Sequence, residues 1–208
     1  MSRVCVATSR WIAAVGLAFT VFCSPARTAE PSSASTRWED AALAFVAVLS
    51  EGDSESAAVR MVYPSSFTPE QLNSERENLA RALGHAINWL GRPEAAKMAK
   101  REVEFYEFAV GGGPRPYWWR AEYPASMDVV VLVAFQRVGT GVIRLSLVKV
   151  QGKPKVAAVG FGLDVRRPGA REEIADLTKS LFDLFGVPED HPARRVELTP
   201  VRVPLADH

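Results

Sequence analysis

The sequence predicts an α+β fold, with N-terminal helices packed on a curved, mainly antiparallel, cone-like sheet and an amphipathic helix near the C-terminus. Three observations predict it. Residues 127–164 hold three β-branched runs separated by Gly139-Thr140-Gly141 and by Gly152-Lys153-Pro154, a spacing that favours short antiparallel hairpins. Apolar residues recur at helical spacing before and after those runs. A chain of 208 residues, 48% hydrophobic and 24% charged, has ordinary globular composition and enough length for one core.

Residues 1–29 are set apart as a secretory signal and processing region. Arg3 and Arg10 precede an uncharged run from Trp11 to Cys23, and small residues Ser24, Pro25 and Ala26 follow. The run is too short for a comfortable membrane span. Cleavage is expected after Ala26, with Ala29 as the alternative, so the protein is expected to be exported, either periplasmic or secreted. Both cysteines, Cys5 and Cys23, fall inside this region. The remaining chain therefore has no disulfide, no thiolate nucleophile and no cysteine metal site. Bulky Phe22 before Cys23 argues against lipid attachment. Loss of Arg3 and Arg10 turns a formal charge of +1 (25 basic and 24 acidic residues) into −1. That leaves no excess positive charge for nucleic-acid binding, and no membrane contact is expected once the signal is removed.

Residues 30–35 read as a polar linker, and a single domain is expected over 36–186. Thr36 and Glu39 form a capping box that predicts a helix, with Trp38, Ala42, Phe45 and Leu49 on one face and Gly52 as its stop. Asp53 caps a second helix over 54–62, ended by Tyr63-Pro64. Thr68, Pro69 and Gln71 mark the start of a third, long helix, with Phe67 placed to staple against Leu72. Its stripe is Leu72, Leu79, Leu83, Ile87 and Leu90, and Gly91 with Pro93 ends it. Residues 94–100 are expected to add a turn or two of helix, 103–110 a strand, and 116–123 a short aromatic strand. Ile174, Leu177, Leu181, Leu184 and Phe185 share one side of a final helix over 171–185. Residues 187–208, with four prolines and no periodic face, are expected to be a loosely ordered tail.

A two-residue turn at Gly139-Thr140 would pair Val130, Leu132, Ala134 and Gln136 with Ile143, Leu145 and Leu147 on one sheet face. It would put Val129, Val131, Val133 and Phe135 with Arg144, Ser146 and Val148 on the other. Ala158, Gly160 and Gly162 join the first face. Both faces are apolar over their middles, so both are expected to be covered, one by the helices and the other by the terminal helix or a second subunit.

This order of elements resembles the nuclear-transport-factor-2-like superfamily, nearest to its small exported bacterial domains of uncharacterised function. The residues that carry it are the helical run 38–52, the turn-helix at Asp53, the helix 67–91 and the strands VEFYEFAV, MDVVVLVAFQRV, VIRLSLVKV and KVAAVGFGLD. It covers about residues 38–164. The resemblance implies a cone with a cavity between sheet and long helix, and often a dimer formed through the sheet. It leaves catalysis open, since the superfamily contains isomerases and dehydratases alongside members that only bind. Catalytic members such as ketosteroid isomerases place a carboxylate base and hydroxyl donors inside the cone. No catalytic residue is carried over.

Candidate residues follow from chemistry and position. Asp128 stands at a strand end as a pocket base or as a solvated carboxylate. His85 lies at the edge of the long helix's inner stripe, suited to acid/base work or to a hydrogen-bonded structural place, and Tyr106 supplies a hydroxyl. Tyr106, Phe108, Tyr117, Trp118 and Trp119 form the densest aromatic group, able to line a cavity mouth or to pack as core. In a strand, Trp118 and Trp119 point to opposite sides. Arg144 is the polar intrusion in the sheet, set opposite Phe135 and beside Phe161 by the assumed register. There it would hold an anionic ligand, or snorkel to water. The Gly111-Gly112-Gly113 run lacks the lysine and helix of a phosphate loop. No ligand spacing suggests a metal, and no cofactor is called for.

Three functions remain in view. The first is a non-catalytic exported domain binding a small apolar or amphipathic ligand or a protein partner. The others are an isomerase or dehydratase-type enzyme and a structural homodimerisation module. A deep cavity with converging polar groups would favour the enzyme, and a filled cone the structural module.

Overall fold

The computed structural model describes residues 33–111, 117–194 and 198–203. The signal region and the start of the linker lie outside the described residues. Helix α1 (Ser33–Glu51) begins three residues before Thr36, so Thr36 falls inside the helix and the capping box expected there is not its start. The apolar stripe is as expected: Ala42, Phe45 and Leu49 are buried, and Gly52 turns the chain at φ +79°. Asp53 caps α2 (Ser54–Arg60) by accepting the Ser56 N–H at 2.9 Å. This helix ends two residues short of expectation, because Val62 donates its N–H to the Val156 carbonyl of the sheet. In α3 (Pro69–Leu90) the Thr68/Gln71 capping box is formed from both sides. Leu79, Leu83, Ile87 and Leu90 are buried along it.

Where 94–100 was expected to be helical, the chain forms an edge strand, β1 (Pro93–Met98). Pro93 opens it, a position that needs no backbone donor, and it pairs with Phe135. Next come β2 (Val103–Gly111), a four-residue helix α4 (Trp119–Glu122), β3 (Ser126–Phe135), β4 (Gly139–Val150) and β5 (Lys153–Asp164). Helix α5 (Ala170–Leu184) and a short strand β6 (Val201–Val203) follow. The expected aromatic strand at 116–123 is thus corrected to a helical turn, in which Tyr123 N–H bonds to the Trp119 carbonyl at 2.7 Å. Part of the expected tail is packed, and its residues 195–197 and 204–208 lie outside the described residues. Val201–Val203 pairs with β2, and Leu198 is buried in the core.

The six strands form one curved, unclosed antiparallel sheet in the order β1-β3-β4-β5-β2-β6. The hairpin register is not the one expected. Phe135 pairs with Gly139, so the turn is Gln136-Arg137-Val138. The reason lies in α3, whose C-terminal carbonyls need donors. Arg137 and Val138 both give their N–H groups to the Leu90 carbonyl, and Gln136 gives its own to Arg92. Gly91 permits this approach, since a Cβ there would stand 2.5 Å from the Arg137 nitrogen.

An odd shift of register recombines the faces. Val129, Val131, Val133 and Phe135 now join Ile143, Leu145 and Leu147 under the helices. Arg144 pairs with Val130 and Gly160, while Phe135 and Phe161 meet each other at 6.4 Å on the helix side. Ala158, Gly160 and Gly162 go with Arg144, not with the helices. Helix α5 packs through Ile174, Leu177 and Leu181 into the same core as α1 and α3, so it does not cover the opposite face. The space between helices and sheet is filled by fully buried side chains, among them Phe108, Phe135, Phe161, Leu83 and Ile174.

Candidate functional site

The sheet face turned away from the helices carries the unusual chemistry. Its centre is Arg144 on β4. Glu107 on β2 reaches over β5 to meet it: Arg144 Nε donates to Glu107 Oε1 and Nη2 to Oε2, both at 2.8 Å. Glu107 is 2% exposed and the Arg144 side chain 12%. The route crosses Gly160, where a Cβ would fall 1.6 Å from Glu107 Oε1. Glycine is therefore required there by space alone. Such a two-pronged pair is directional and strong, and it offsets the desolvation of both ions only while both remain.

Two more groups complete the network. Arg144 Nη1 faces Asp128 Oδ2 at 3.5 Å, and the Ser146 hydroxyl donates to Asp128 Oδ1 at 2.6 Å. Burial works against the guanidinium charge, but Glu107 and then Asp128 outweigh it and hold the Arg144 proton more firmly than usual. All of these polar groups are mutually satisfied. The arrangement ties three strands together, and each Asp128 oxygen faces a partner within it.

Apolar clusters flank the network on the same face. Toward the β4–β5 turn, Trp119, Val148 and Ala158 are buried together, with Trp118 and Tyr123 packed beside them. Toward the β3–β4 turn, Phe105, Val130 and Val142 form a second cluster. Beyond it opens a groove of about 600 Å³. Its sheet side is Leu132, Ala134 and Thr140, and Lys97 and Arg101 stand at its margin. Arg166, also at the margin, donates to Asp164 Oδ1 and Oδ2 at 2.9 and 2.6 Å, which holds that carboxyl below the ordinary range. Lys97 and Arg101 make no ion pair among the described residues.

The residues singled out from sequence are dispersed. Asp128 lies on this outer face, Tyr106 on the helix side opposite Leu163, and His85 on α3. His85 Nε2 meets Ser180 Oγ at 2.8 Å, and Ser180 donates its only proton to the Leu177 carbonyl. His85 must then be the donor, a strap between α3 and α5. Burial lowers its pKa below the usual value. The three do not converge on one cavity.

The aromatic group is likewise divided by the sheet. Phe108 is fully buried in the main core with Tyr106 against it, whereas Trp118 and Trp119 lie on the other side. The two tryptophans are not alternating strand residues; they meet edge to face at 6.3 Å in the α4 turn. Glu107 was missed from sequence. The available signal was parity: on the β2 face of Phe105, Glu107 and Ala109 it is the one charge, as Arg144 is in mid-β4. Among the described residues, no three His, Cys, Asp or Glu side chains gather as a metal site, and no helix is long and apolar enough to cross a membrane. Comparison with protein-family models, curated proteins and solved structures finds no match for this chain.

Proposed function

We infer that this is an exported, non-catalytic binding domain of nuclear-transport-factor-2-like architecture, and that it takes a small amphipathic ligand in the groove at the β3–β4 end of the outer sheet face. One observation carries the reading. The cone interior, where the resemblance would put a ligand, is filled by fully buried aromatic and aliphatic side chains, which taken alone would favour a structural module, but the outer face keeps an open groove of about 600 Å³. That volume lies within the range of small-molecule sites. Leu132 and Ala134 offer an apolar surface, and Lys97, Arg101, Arg166 and Arg202 against Glu102, Glu104 and Asp164 leave a small positive excess for an acidic head.

The enzymatic reading has less support, because Asp128, His85 and Tyr106 lie in three separate places. Native mass spectrometry of the protein purified from the cells that make it tests the proposal, with cell fractionation to test export. A retained small molecule on protein lacking its first 26 to 29 residues is expected. A bare, uncleaved cytoplasmic protein overturns it, and a ligand-free dimer favours the structural module instead.

A further inference from the structure

At the other end of β4 the fold gathers cations that are scattered in sequence. The β4–β5 turn is a tight two-residue turn, Gln151-Gly152, both at positive φ, and it projects Lys149, Lys153 and Lys155, all exposed. Lys153 and Lys155 pair across the hairpin with Val150 and Val148, so they share the face on which Trp118, Trp119 and Tyr123 pack, while Lys149, paired with Pro154, stands at the same end on the other side of the sheet. The C-terminal end of α2 lies beside them, because Met61 bridges to Val156. It adds Arg60 and Val59, the latter 60% exposed. Arg120 of α4 stacks over Tyr117 at 4.5 Å, and Tyr117 is 37% exposed. The acidic residue of α4, Glu122, is turned to the Ser65 N–H at 3.1 Å. None of Arg60, Lys149, Lys153 and Lys155 forms an ion pair among the described residues.

We propose that this end of the molecule is a docking surface for an anionic phospholipid bilayer, with the lysines and arginines over the headgroups, Tyr117 and Val59 at the interfacial depth, and the half-buried Trp118 just beneath them. Exposed cations attract an anionic surface, and amphipathic aromatics prefer the boundary between headgroups and acyl chains. The combination is what peripheral binding needs. It departs from the absence of membrane contact expected from net charge, since net charge ignores that five cations from three segments meet at one end. It is independent of the groove, whose Thr140 lies nine residues from Lys149 along β4, roughly 30 Å in an extended strand.

Vesicle co-sedimentation tests it, using the purified protein with vesicles of equimolar phosphatidylglycerol and phosphatidylcholine, and with phosphatidylcholine alone. Binding at least tenfold tighter to the anionic vesicles is expected, weakening with salt, with a blue shift of tryptophan emission that Trp118→Phe reduces. The triple variant Lys149→Glu/Lys153→Glu/Lys155→Glu should lose this binding, and Arg171→Glu/Lys179→Glu on the exposed side of α5 should not. If the triple variant fails to fold, Lys153→Glu alone should weaken binding by about fivefold or more. Equal binding to both vesicles, binding to neither, a triple variant that binds like the wild type, or retention only by a soluble sulfated polysaccharide overturns the proposal.

Discussion

Removing the Glu107 carboxylate leaves Arg144 charged and buried with only the 3.5 Å contact to Asp128. Glu107→Ala is therefore expected to lower the unfolding free energy by about 3–5 kcal/mol, read from urea denaturation. The double variant Glu107→Leu/Arg144→Met, which removes both charges, should lose less than the single one. Gly160→Ala reaches the same pair from below. Its methyl would collide with a Glu107 side chain that is pinned by Arg144 and cannot swing away. A loss of similar size to that of Glu107→Ala is expected, and combining Gly160→Ala with Glu107→Ala should add little further loss. A fully additive double variant would mean that the glycine serves another purpose. Arg144 was legible in the sequence as an intrusion, but its partner was not. Glu107 reaches it through the pairing of β2 with β5, segments far apart in sequence whose register no local pattern specifies.

Helix stripes and the start of α3 were the most readable elements, because apolar periods and a formed capping box are local, whereas Thr36 falls inside α1. Thr68, Pro69 and Gln71 define the start of α3 in sequence and in space alike. β1 and α4 were misread because long-range pairing decides them. Residues 93–98 become a strand only because β3 lies alongside, and the Trp118-Trp119 pair becomes a turn because it caps Val148 and Ala158. The α3–α5 contact carries a pH prediction. His85 is neutral and donates through Nε2, and burial holds its folded pKa below the unfolded value of about 6.5. Above that value neither state is protonated and the contact contributes fully. As pH falls below it, the unfolded chain takes the proton first, so stability declines until the folded pKa is passed. The melting temperature should drop between pH 7.5 and 5.5 by more in the wild type than in His85→Gln, which keeps a donor for Ser180 but does not titrate. Equal slopes would place the pH dependence elsewhere.

For the molecule as a whole, the α+β class and the helices-then-sheet order follow from patterning. The division of labour between the two sheet faces does not. Under the expected register the smooth Ala158-Gly160-Gly162 surface faced the long helix, and Arg144 faced away with Phe135. In the fold Gly160 is the gap through which Glu107 reaches Arg144, Gly162 makes room for Phe105, Ala158 packs with Trp119, and the aromatic rings seal the helix side. With the space between helices and sheet filled, the proposed ligand reading rests on the groove beside Leu132 and Ala134. The most direct measurement is native mass spectrometry of wild type and Ala134→Trp, purified in parallel from the cells that make the protein. The account predicts a small molecule retained by the wild type and absent from the folded groove-filled variant. The same retained mass on both proteins, or on neither, would contradict it.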